Sequence, residues 1–317
     1  MTSDFVVFFV KIMLQKGYFV MIKVFFAFVF MTLIAFLHLS YAEDVVRQGL
    51  TIEAIQKKGE IVVGMVHGDS QPYYFTVDGE TIGFDAKLAY EVGEELGVKV
   101  KFDNNTPCYD SIAPRVASRE IDIAISCLSK TEERMKLIDF SDPYIIGYSS
   151  IFYNRVSFAK SKNDRSFVPK KLSDFNRPDI NILVESGTVF VTLAHEYLPK
   201  ATIIPIHVDS KYFPIIASIE KGEFCGVMGD EGDFLSILHR NPEGRKSIGQ
   251  FQIKRESDDI ERNEECEYED LISVGVPKNS PELLELINRV IKKRGVASID
   301  QVLDEFEKYN SSKREGY

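Results

Sequence analysis

The feature that most constrains the fold is a regular alternation of short apolar runs with amphipathic segments. Strands are predicted where apolar residues run together or alternate with polar ones, at residues 61–66, 98–102 and 121–125. Helices are predicted between them, at residues 84–96 and 112–118, and Gly97 ends the first of these. The order βαβαβ is typical of a compact α/β lobe with a largely parallel sheet.

The same rhythm restarts after a polar stretch at residues 160–169. Strands are predicted in this second half at residues 181–184, 203–204 and 224–228. A last strand at residues 271–276 is followed by helices at residues 281–293 and 299–309, and we expect this tail to return to the first lobe. The sequence therefore predicts two similar lobes in series.

The lobe boundaries follow from this pattern. Lobe 1 is predicted to comprise residues 43–152 and 270–317, and lobe 2 residues 153–269, with two strands crossing between them as a hinge. A cleft beside a hinge is a frequent place for a small ligand.

The N-terminus has the layout of a secretory signal. Lys23 precedes an apolar run at residues 24–39, and small residues follow up to a predicted cut after Ala42. Residues 1–20 are read as an over-long gene start, with Met21 as the initiator. A membrane anchor is the alternative, but a cut site has no purpose in an anchor. We therefore expect a periplasmic protein.

The charge of the chain argues against polyanionic partners. The formal net charge is −10, and residues 1–42 carry three lysines against one aspartate, so the remainder is more negative still. Nucleic acid is therefore an unfavourable partner. The histidines are scattered, and neither Cys-x-x-Cys nor His-Glu-x-x-His occurs, so neither a metal nor a cofactor is predicted.

The cysteines leave two interpretations open. In an exported protein, Cys108 could pair with Cys127 in the first half, and Cys225 with Cys266 in the second. Buried free thiols are the alternative.

Several short segments follow one another along the chain in a characteristic order. These segments include Gly83-Phe84-Asp85, Tyr109-Asp110-Ser111, Ser126-Cys127-Leu128-Ser129 up to Arg134, Asp139 to Tyr144, Ser186-Gly187-Thr188, Gly229-Asp230 and Val274 to Lys278. Each alone is weak, but in this order, from about Gly59 to Gly295, they resemble the family 3 extracellular solute-binding proteins, the polar amino acid receptors of ABC transporters. The resemblance implies a two-lobed periplasmic-binding-protein fold of type II, with a mostly parallel sheet flanked by helices in each lobe.

The resemblance also implies how a ligand is held. Arg134 would bind the α-carboxylate of an amino acid, because a guanidinium offers two parallel bonds and stays charged. Asp230, from the other lobe, would receive the α-ammonium. The further ligand-binding residues that the resemblance implies are Ser126, Cys127, Ser129, Tyr109, Tyr73, Tyr74, Thr188 and Asp85.

Ordinary structural roles compete with these assignments. Ser129 and Glu132 have the spacing of a capping box, and Thr131 could cap the same helix. Taken alone, Arg134 would more often be a surface charge and Asp230 a capping carboxylate. Cys127 and Cys225 depart from the usual family pattern, and Val189 stands where some relatives have a hydroxyl.

The function predicted is that of a monomeric receptor which closes over an amino acid, without chemistry, and delivers it to an ABC transporter permease. An enzyme resembling the cyclohexadienyl or arogenate dehydratases is the alternative, with Glu185 or Glu231 as the acid. A ligand-sensing domain is a third class, and it is disfavoured because no effector module follows before Tyr317.

Overall fold

The computed structural model describes residues 29–32, 49–161, 167–207, 213–241, 244–253 and 269–314. The chain divides into two units, residues 1–49 and residues 50–317. In the first unit, residues 29–32 are helical, whereas the predicted cut after Ala42 lies outside the described residues. Within the described ranges, no helix combines the length and apolar character that crossing a bilayer requires.

Strands and helices alternate through the second unit as the sequence predicts. The first half contains α1 (Ile52–Lys58), β1 (Glu60–Val66), β2 (Phe75–Val77), β3 (Glu80–Ile82), α2 (Phe84–Leu96), β4 (Lys99–Thr106), α3 (Tyr109–Ala117), β5 (Ile123–Ala124), α4 (Glu132–Leu137) and β6 (Ile138–Asn154). The next part contains α5 (Arg155–Ser161), a 3-10 turn (Leu172–Asp174), β7 (Asn181–Glu185), α6 (Val189–Tyr197), β8 (Thr202–Ile206), α7 (Phe213–Glu220), β9 (Gly226–Asp230), α8 (Glu231–Arg240), α9 (Gly244–Ser247) and β10 (Ile248–Gln252). The last part contains β11 (Glu269–Pro277), α10 (Pro281–Arg294), β12 (Ala297–Ser298) and α11 (Ile299–Arg314).

The helix α2 shows why a helix can be predicted from the spacing of its apolar residues. Phe84, Leu88 and Val92 recur on one face and are buried, so the helix packs against the sheet through a single stripe. Gly97 follows in the left-handed conformation at φ 71°, and its amide bonds back to the carbonyl oxygens of the last turn. The predicted helix and its end are both confirmed.

One mixed sheet runs through both halves, in the order β4-β1-β5-β11-β6-β9-β7-β8, and β10 and β12 also pair with β6. The outer pairs β1–β4, β1–β5, β7–β8 and β7–β9 are parallel. The central strand β6 is antiparallel to β11 as far as Tyr148 and antiparallel to β9 from Ser149 onward. This 17-residue strand, which the sequence pattern did not predict, therefore joins the two parallel parts of the sheet.

The buried apolar residues separate into clusters on either side of this junction. Val63 and Leu88 in the first half share one cluster with Ile287 of α10, so the C-terminal segment packs on the first half. Tyr153, Ile182 and Met228 belong to another cluster in the second half. The lobe boundaries at 152/153 and 269/270 stay a prediction.

The cysteines of the first half do not form the disulfide that was one of the two expectations. Cys108 and Cys127 are both free thiols, and the Cys108 sulfur lies 3.2 Å from the hydroxyl oxygen of Ser111. Cys225 is free as well, while Cys266 lies outside the described residues. The alternative of free thiols is therefore correct for the first half.

Candidate ligand-binding site

A cavity of about 340 Å³, open solvent at its mouth included, lies where the carboxyl ends of several strands meet. The described residues that line it are Tyr109, Cys127, Ser129, Arg134, Glu185, Thr188, Phe190, Asp230, Asp233 and Asp270. Six of these, all but Glu185, Phe190, Asp233 and Asp270, are ligand-binding residues predicted from the sequence. Residues from both halves of the chain contribute to this wall, as expected of a cleft at the carboxyl ends of parallel strands.

Arg134 forms the basic end of the cavity. Its backbone amide donates to the Thr131 hydroxyl, which caps α4 at 3.3 Å and so fixes the start of that helix. Its Nη1 donates to the Ser129 carbonyl oxygen at 2.8 Å, and its Nη2 donates across the cleft to the Gly187 carbonyl oxygen at 3.1 Å. The guanidinium also lies 5.9 Å from the ring centre of Tyr109. Burial lowers the pKa of Arg134, but an arginine side chain stays charged in such a site.

Of the two caps considered for this helix, the structure confirms Thr131 and not a capping box at Ser129. The Ser129 hydroxyl instead donates to Asp270 Oδ2 at 2.9 Å. Ser129 therefore lines the cavity through its side chain while its carbonyl oxygen holds Arg134.

Asp230 ends β9 and caps α8, and its two carboxylate oxygens have different surroundings. Oδ1 accepts from the Tyr73 hydroxyl at 2.6 Å and from the Asp233 amide at 3.0 Å. Oδ2 is buried and accepts no hydrogen bond from any described residue. Burial raises the pKa of Asp230, against the lowering effect of those two donors and of the Gly232 amide. A buried acceptor without a donor is costly, so a donor group supplied by a ligand would stabilise this oxygen.

Two further acids face the same cavity, and sequence reasoning missed both. Asp233 is buried in the first turn of α8, where its Oδ1 accepts from the Ser70 hydroxyl at 2.9 Å. Burial and the neighbouring Asp230 raise the pKa of Asp233 well above its usual value. Asp270 lies on β11, and loss of water together with the charge of Asp230 raises its pKa to about 7, although Ser129 and Arg134 oppose this.

Four of the predicted site residues lie behind the cavity wall and do not line it: Tyr73, Tyr74, Asp85 and Ser126. Tyr73 still reaches the site through its bond to Asp230. The Ser126 hydroxyl donates to the Tyr74 hydroxyl at 3.1 Å, and the Tyr74 hydroxyl donates to the Val66 carbonyl oxygen at 3.1 Å. These bonds fix the ends of β1 and β5 rather than offering groups to a ligand.

Asp85 supports the cavity wall from the core. Its Oδ2 accepts from the Cys127 amide at 2.6 Å and its Oδ1 from the Tyr144 hydroxyl at 2.9 Å. Cys127 has a φ of 45°, in the left-handed region that a side chain seldom adopts, so these bonds hold a strained turn in place. Burial raises the pKa of Asp85 to about 6.

The first half contacts the second half directly on the acidic side as well. The loop at residues 67–71 contributes the bond from Ser70 to Asp233, and the Ser236 hydroxyl donates to the Gln71 carbonyl oxygen at 2.8 Å. Together with the bond from Tyr73 to Asp230, these contacts join the N-terminal end of α8 to the first half. The cleft is therefore closed around the cavity in this structure.

The two glutamates considered as catalytic acids differ in position. Glu185 lines the cavity at the end of β7. Glu231 is not among the lining residues, and its carboxylate accepts from the side-chain amides of Gln250 and Gln252. Glu185 alone of the pair is placed to meet a ligand.

Thr188 lines the cavity at the start of α6, but its hydroxyl donates to the Glu185 carbonyl oxygen at 2.7 Å. It does not cap the helix with its side chain. The neighbouring Phe190 adds an apolar surface that the sequence reasoning did not assign.

Comparison with known proteins connects this geometry to a family. The model of the "Bacterial extracellular solute-binding proteins, family 3" matches residues 61–302. An arginine-binding periplasmic protein of Mannheimia haemolytica is 26% identical over 56% of this chain and 66% of its own length. A probable histidine-binding protein of Campylobacter jejuni is 28% identical over 55% of this chain and 61% of its own length. The chain thus spans less than two thirds of the length of either relative.

The fold is shared with solved structures. The crystal structure of the ancestral amino acid-binding protein AncCDT-1, a precursor of cyclohexadienyl dehydratase, has a TM-score of 0.62 and 26% identity. That match covers 80% of this chain and 98% of the other. The predicted two-lobed, type II periplasmic-binding-protein fold is confirmed.

Proposed function

The chain belongs to the bacterial extracellular solute-binding proteins, family 3, and we propose on that premise that it is the amino acid receptor of an ABC transporter. In this proposal residues 43–152 and 270–317 form one lobe and residues 153–269 the other. The protein is exported, cut after Ala42, works as a monomer in the periplasm and delivers its ligand to a permease. It binds the ligand without transforming it.

The observation that carries the proposal is that Arg134 and Asp230, one from each half of the chain, line the same cavity. An amino acid zwitterion loses its water on entering such a cavity, so each charge needs a fixed partner. Two nitrogens of Arg134 are held by carbonyl oxygens, and the guanidinium keeps further N–H groups for a ligand carboxylate. Asp230 Oδ2, without a donor among the described residues, suits an α-ammonium.

Binding and closure are coupled in this proposal. Arg134 belongs to α4, and Asp230 lies at the end of β9 in the second half. A ligand held at both ends bridges the halves, and it stabilises the closed arrangement by as much as it prefers that arrangement over the open one. The names of the relatives from Mannheimia and Campylobacter, which are arginine- and histidine-binding proteins, support an amino acid as the ligand.

The test is titration calorimetry of the purified protein against the common amino acids, followed by the Arg134→Ala variant. We expect this variant to bind the preferred ligand more than tenfold more weakly, a loss of about 1.4 kcal/mol or more. Arg289→Ala is the matched control, because Arg289 is exposed on α10 and pairs with Glu285 one turn away. Unchanged affinity in Arg134→Ala contradicts the assignment, and binding of no amino acid by the wild type contradicts the function.

The enzyme alternative has its own measurement, which Glu185 justifies because it lines the cavity. The wild type is incubated with prephenate and arogenate, and the products are followed by absorbance. Turnover would replace the receptor function with a dehydratase. Thermal stabilisation by an amino acid, increasing with its concentration and without turnover, supports the receptor.

A further inference from the structure

The described residues that line the cavity include more acidic than basic side chains. Four of them are carboxylic acids, Glu185, Asp230, Asp233 and Asp270, whereas Arg134 is the one basic residue among them. An amino acid with a neutral side chain adds one positive and one negative group, so it leaves this excess unchanged. A ligand with a second positive group reduces the excess, and electrostatic complementarity of this kind favours one ligand class over another.

The vacant acceptor at Asp230 is an independent sign of where the first positive group lies. Its Oδ2 is buried, has no donor among the described residues and belongs to a side chain that is 6% exposed. If the α-ammonium takes this position, the other acids are left to meet the side chain of the ligand.

We propose that Asp270 is the residue that selects a ligand with a cationic side chain, so that the ligand is a basic amino acid. This inference rests on the proposed function and names the ligand class for the same cavity. Asp270 is not among the residues that the sequence resemblance assigned to binding.

The position of Asp270 distinguishes it from the other acids. It pairs with Gly147 on one side of β6, while Asp230 pairs with Ser149 on the other side. Asp230 Oδ2 lies 3.8 Å from where a Cβ at Gly147 would stand, so the Asp230 carboxylate reaches the β6 residue that pairs with Asp270. The two acids thus approach one another from opposite sides of β6, and both line the cavity. A ligand with two positive groups can meet one acid with each of them.

The hydrogen bonds of the acids lead to the same choice. Asp233 is engaged by the Ser70 hydroxyl as part of the contact between the halves, and it follows Asp230 by one helical turn. Asp270 accepts from the Ser129 hydroxyl through Oδ2. A carboxylate has two acceptor oxygens and several lone pairs, so this single hydroxyl leaves capacity for a cation.

The charge state of Asp270 is consistent with this role. Its removal from water and the nearby Asp230 raise its pKa to about 7, although Ser129 and Arg134 act against the shift. The anion is thus incompletely stabilised by the protein, and a ligand cation would complete its surroundings. A metal ion is a poor alternative, since no three His, Cys, Asp or Glu side chains of the described residues are grouped to hold one.

The experiment compares ligands that differ in charge but little in shape. Affinities of the wild type are measured by calorimetry for arginine against citrulline and for lysine against norleucine. We expect at least one basic ligand to bind about tenfold to a hundredfold more tightly than its neutral counterpart, as for a charged hydrogen bond in a closed site. In Asp270→Asn this preference should fall to within about threefold, while the neutral ligand keeps its affinity within the same factor.

Glu269→Gln is the matched control, because it removes one charge from the neighbouring position of β11, where the side chain is exposed. It should keep the wild-type preference. Ser129→Ala, which removes the hydroxyl bonded to Asp270, should lower the preference severalfold and serves as the decisive variant if Asp270→Asn does not fold.

The possible outcomes distinguish a failure of this inference from a failure of the proposed receptor function. If the wild type binds amino acids but binds arginine no more tightly than citrulline and lysine no more tightly than norleucine, the role of Asp270 is refuted and the receptor function stands. If Asp270→Asn weakens charged and neutral ligands equally, Asp270 is structural and the inference is again refuted. If no amino acid binds at all, the proposed function fails first.

Discussion

The two ends of the cavity are built by different means. At the basic end, the Arg134 guanidinium is held by the carbonyl oxygens of Ser129 and Gly187, one from each half of the chain. At the acidic end, Asp230 and Asp233 are held by the hydroxyl groups of Tyr73 and Ser70. Main-chain acceptors hold the cation, whereas the anions are held by side-chain hydroxyl groups and, for Asp230, also by the Asp233 amide.

This difference affects how each end responds to its surroundings. An arginine keeps its charge at all ordinary pH values, so the basic end is constant. The acids respond to pH instead, because burial raises the pKa values of Asp230 and Asp233, and it raises the pKa of Asp270, which is bonded to Ser129 beside Arg134, to about 7. The carboxylic acids are therefore the part of the site whose charge can change, and the following experiments are directed at this contrast with Arg134.

The largest effect is expected from Asp230→Ala. This change removes the carboxylate with the vacant acceptor, and we expect a loss of about 2–4 kcal/mol in amino acid binding, as when one partner of a buried charge pair is truncated. Calorimetry with the preferred ligand measures it. Asp142→Ala, at an exposed position of β6, is the control and should bind normally. A loss below tenfold would show that the ammonium is not held here.

The stability of the ligand-free protein should fall as the pH rises from 5 to 7. The folded-state pKa values of Asp85 and Asp270 are raised, so the folded state binds more protons than the unfolded state in this window, and the free energy of unfolding decreases with pH. Each group contributes at most about 1.4 kcal/mol per pH unit. Urea unfolding at several pH values gives the slope. Asp270→Asn should flatten it between pH 6 and 7, near the pKa of about 7, and an unaltered slope would contradict the raised pKa.

The affinity for a basic amino acid should show the opposite trend. Below the Asp270 pKa of about 7 this side chain takes up a proton, which a cationic ligand must displace, so binding weakens by up to about tenfold per pH unit. A ligand with a neutral side chain should show a shallower dependence over the same range. Calorimetry of arginine and citrulline between pH 8 and 6 makes the comparison. Parallel curves for the two ligands would argue against ionised Asp270 as the cation partner.

The smallest effect is expected from Ser70→Ala. Its hydroxyl joins Asp233 across the cleft, and loss of this bond should cost about 1 kcal/mol of closure and weaken every ligand by the same few-fold factor. Ser118→Ala, at an exposed position, is the control. A selective loss for basic ligands would instead place Asp233 in the recognition of the side chain.

The local elements of the fold were largely predictable, and the reason is periodicity. The helix α2 carries apolar residues at helical spacing and the strand β1 is a short continuous apolar run, so both can be recognised without knowledge of tertiary contacts. The strand β6 was missed because Asp139, Asp142 and Pro143 interrupt its pattern. Its pairing with β11 shifts register near Pro143, so the strand depends on its partners rather than on its own sequence.

Only those residues of the site that belong to the ordered family segments could be predicted from the sequence. Arg134 and Asp230 were named from those segments, and both line one cavity, although their roles stay a proposal. Asp233 and Asp270 were not predicted as site residues, because a single aspartate in a helix or strand gives no local sign of whether it faces solvent or a cavity. The burial of Tyr74 and Ser126 was equally hidden, since it depends on bonds made to β1.

The continuous strand β6 has a consequence for movement between the halves. It passes from β11 to β9 between Tyr148 and Ser149 without an intervening loop, beside Gly147. At this crossing, a rotation of one half against the other would be absorbed as torsion spread along extended backbone, because β6 contains no loop to act as a pivot. Asp270 and Asp230 are anchored on the neighbours of this stretch, so the same torsion alters the gap between the two carboxylates. Opening of the cleft and the distance between these two carboxylates are therefore coupled through β6.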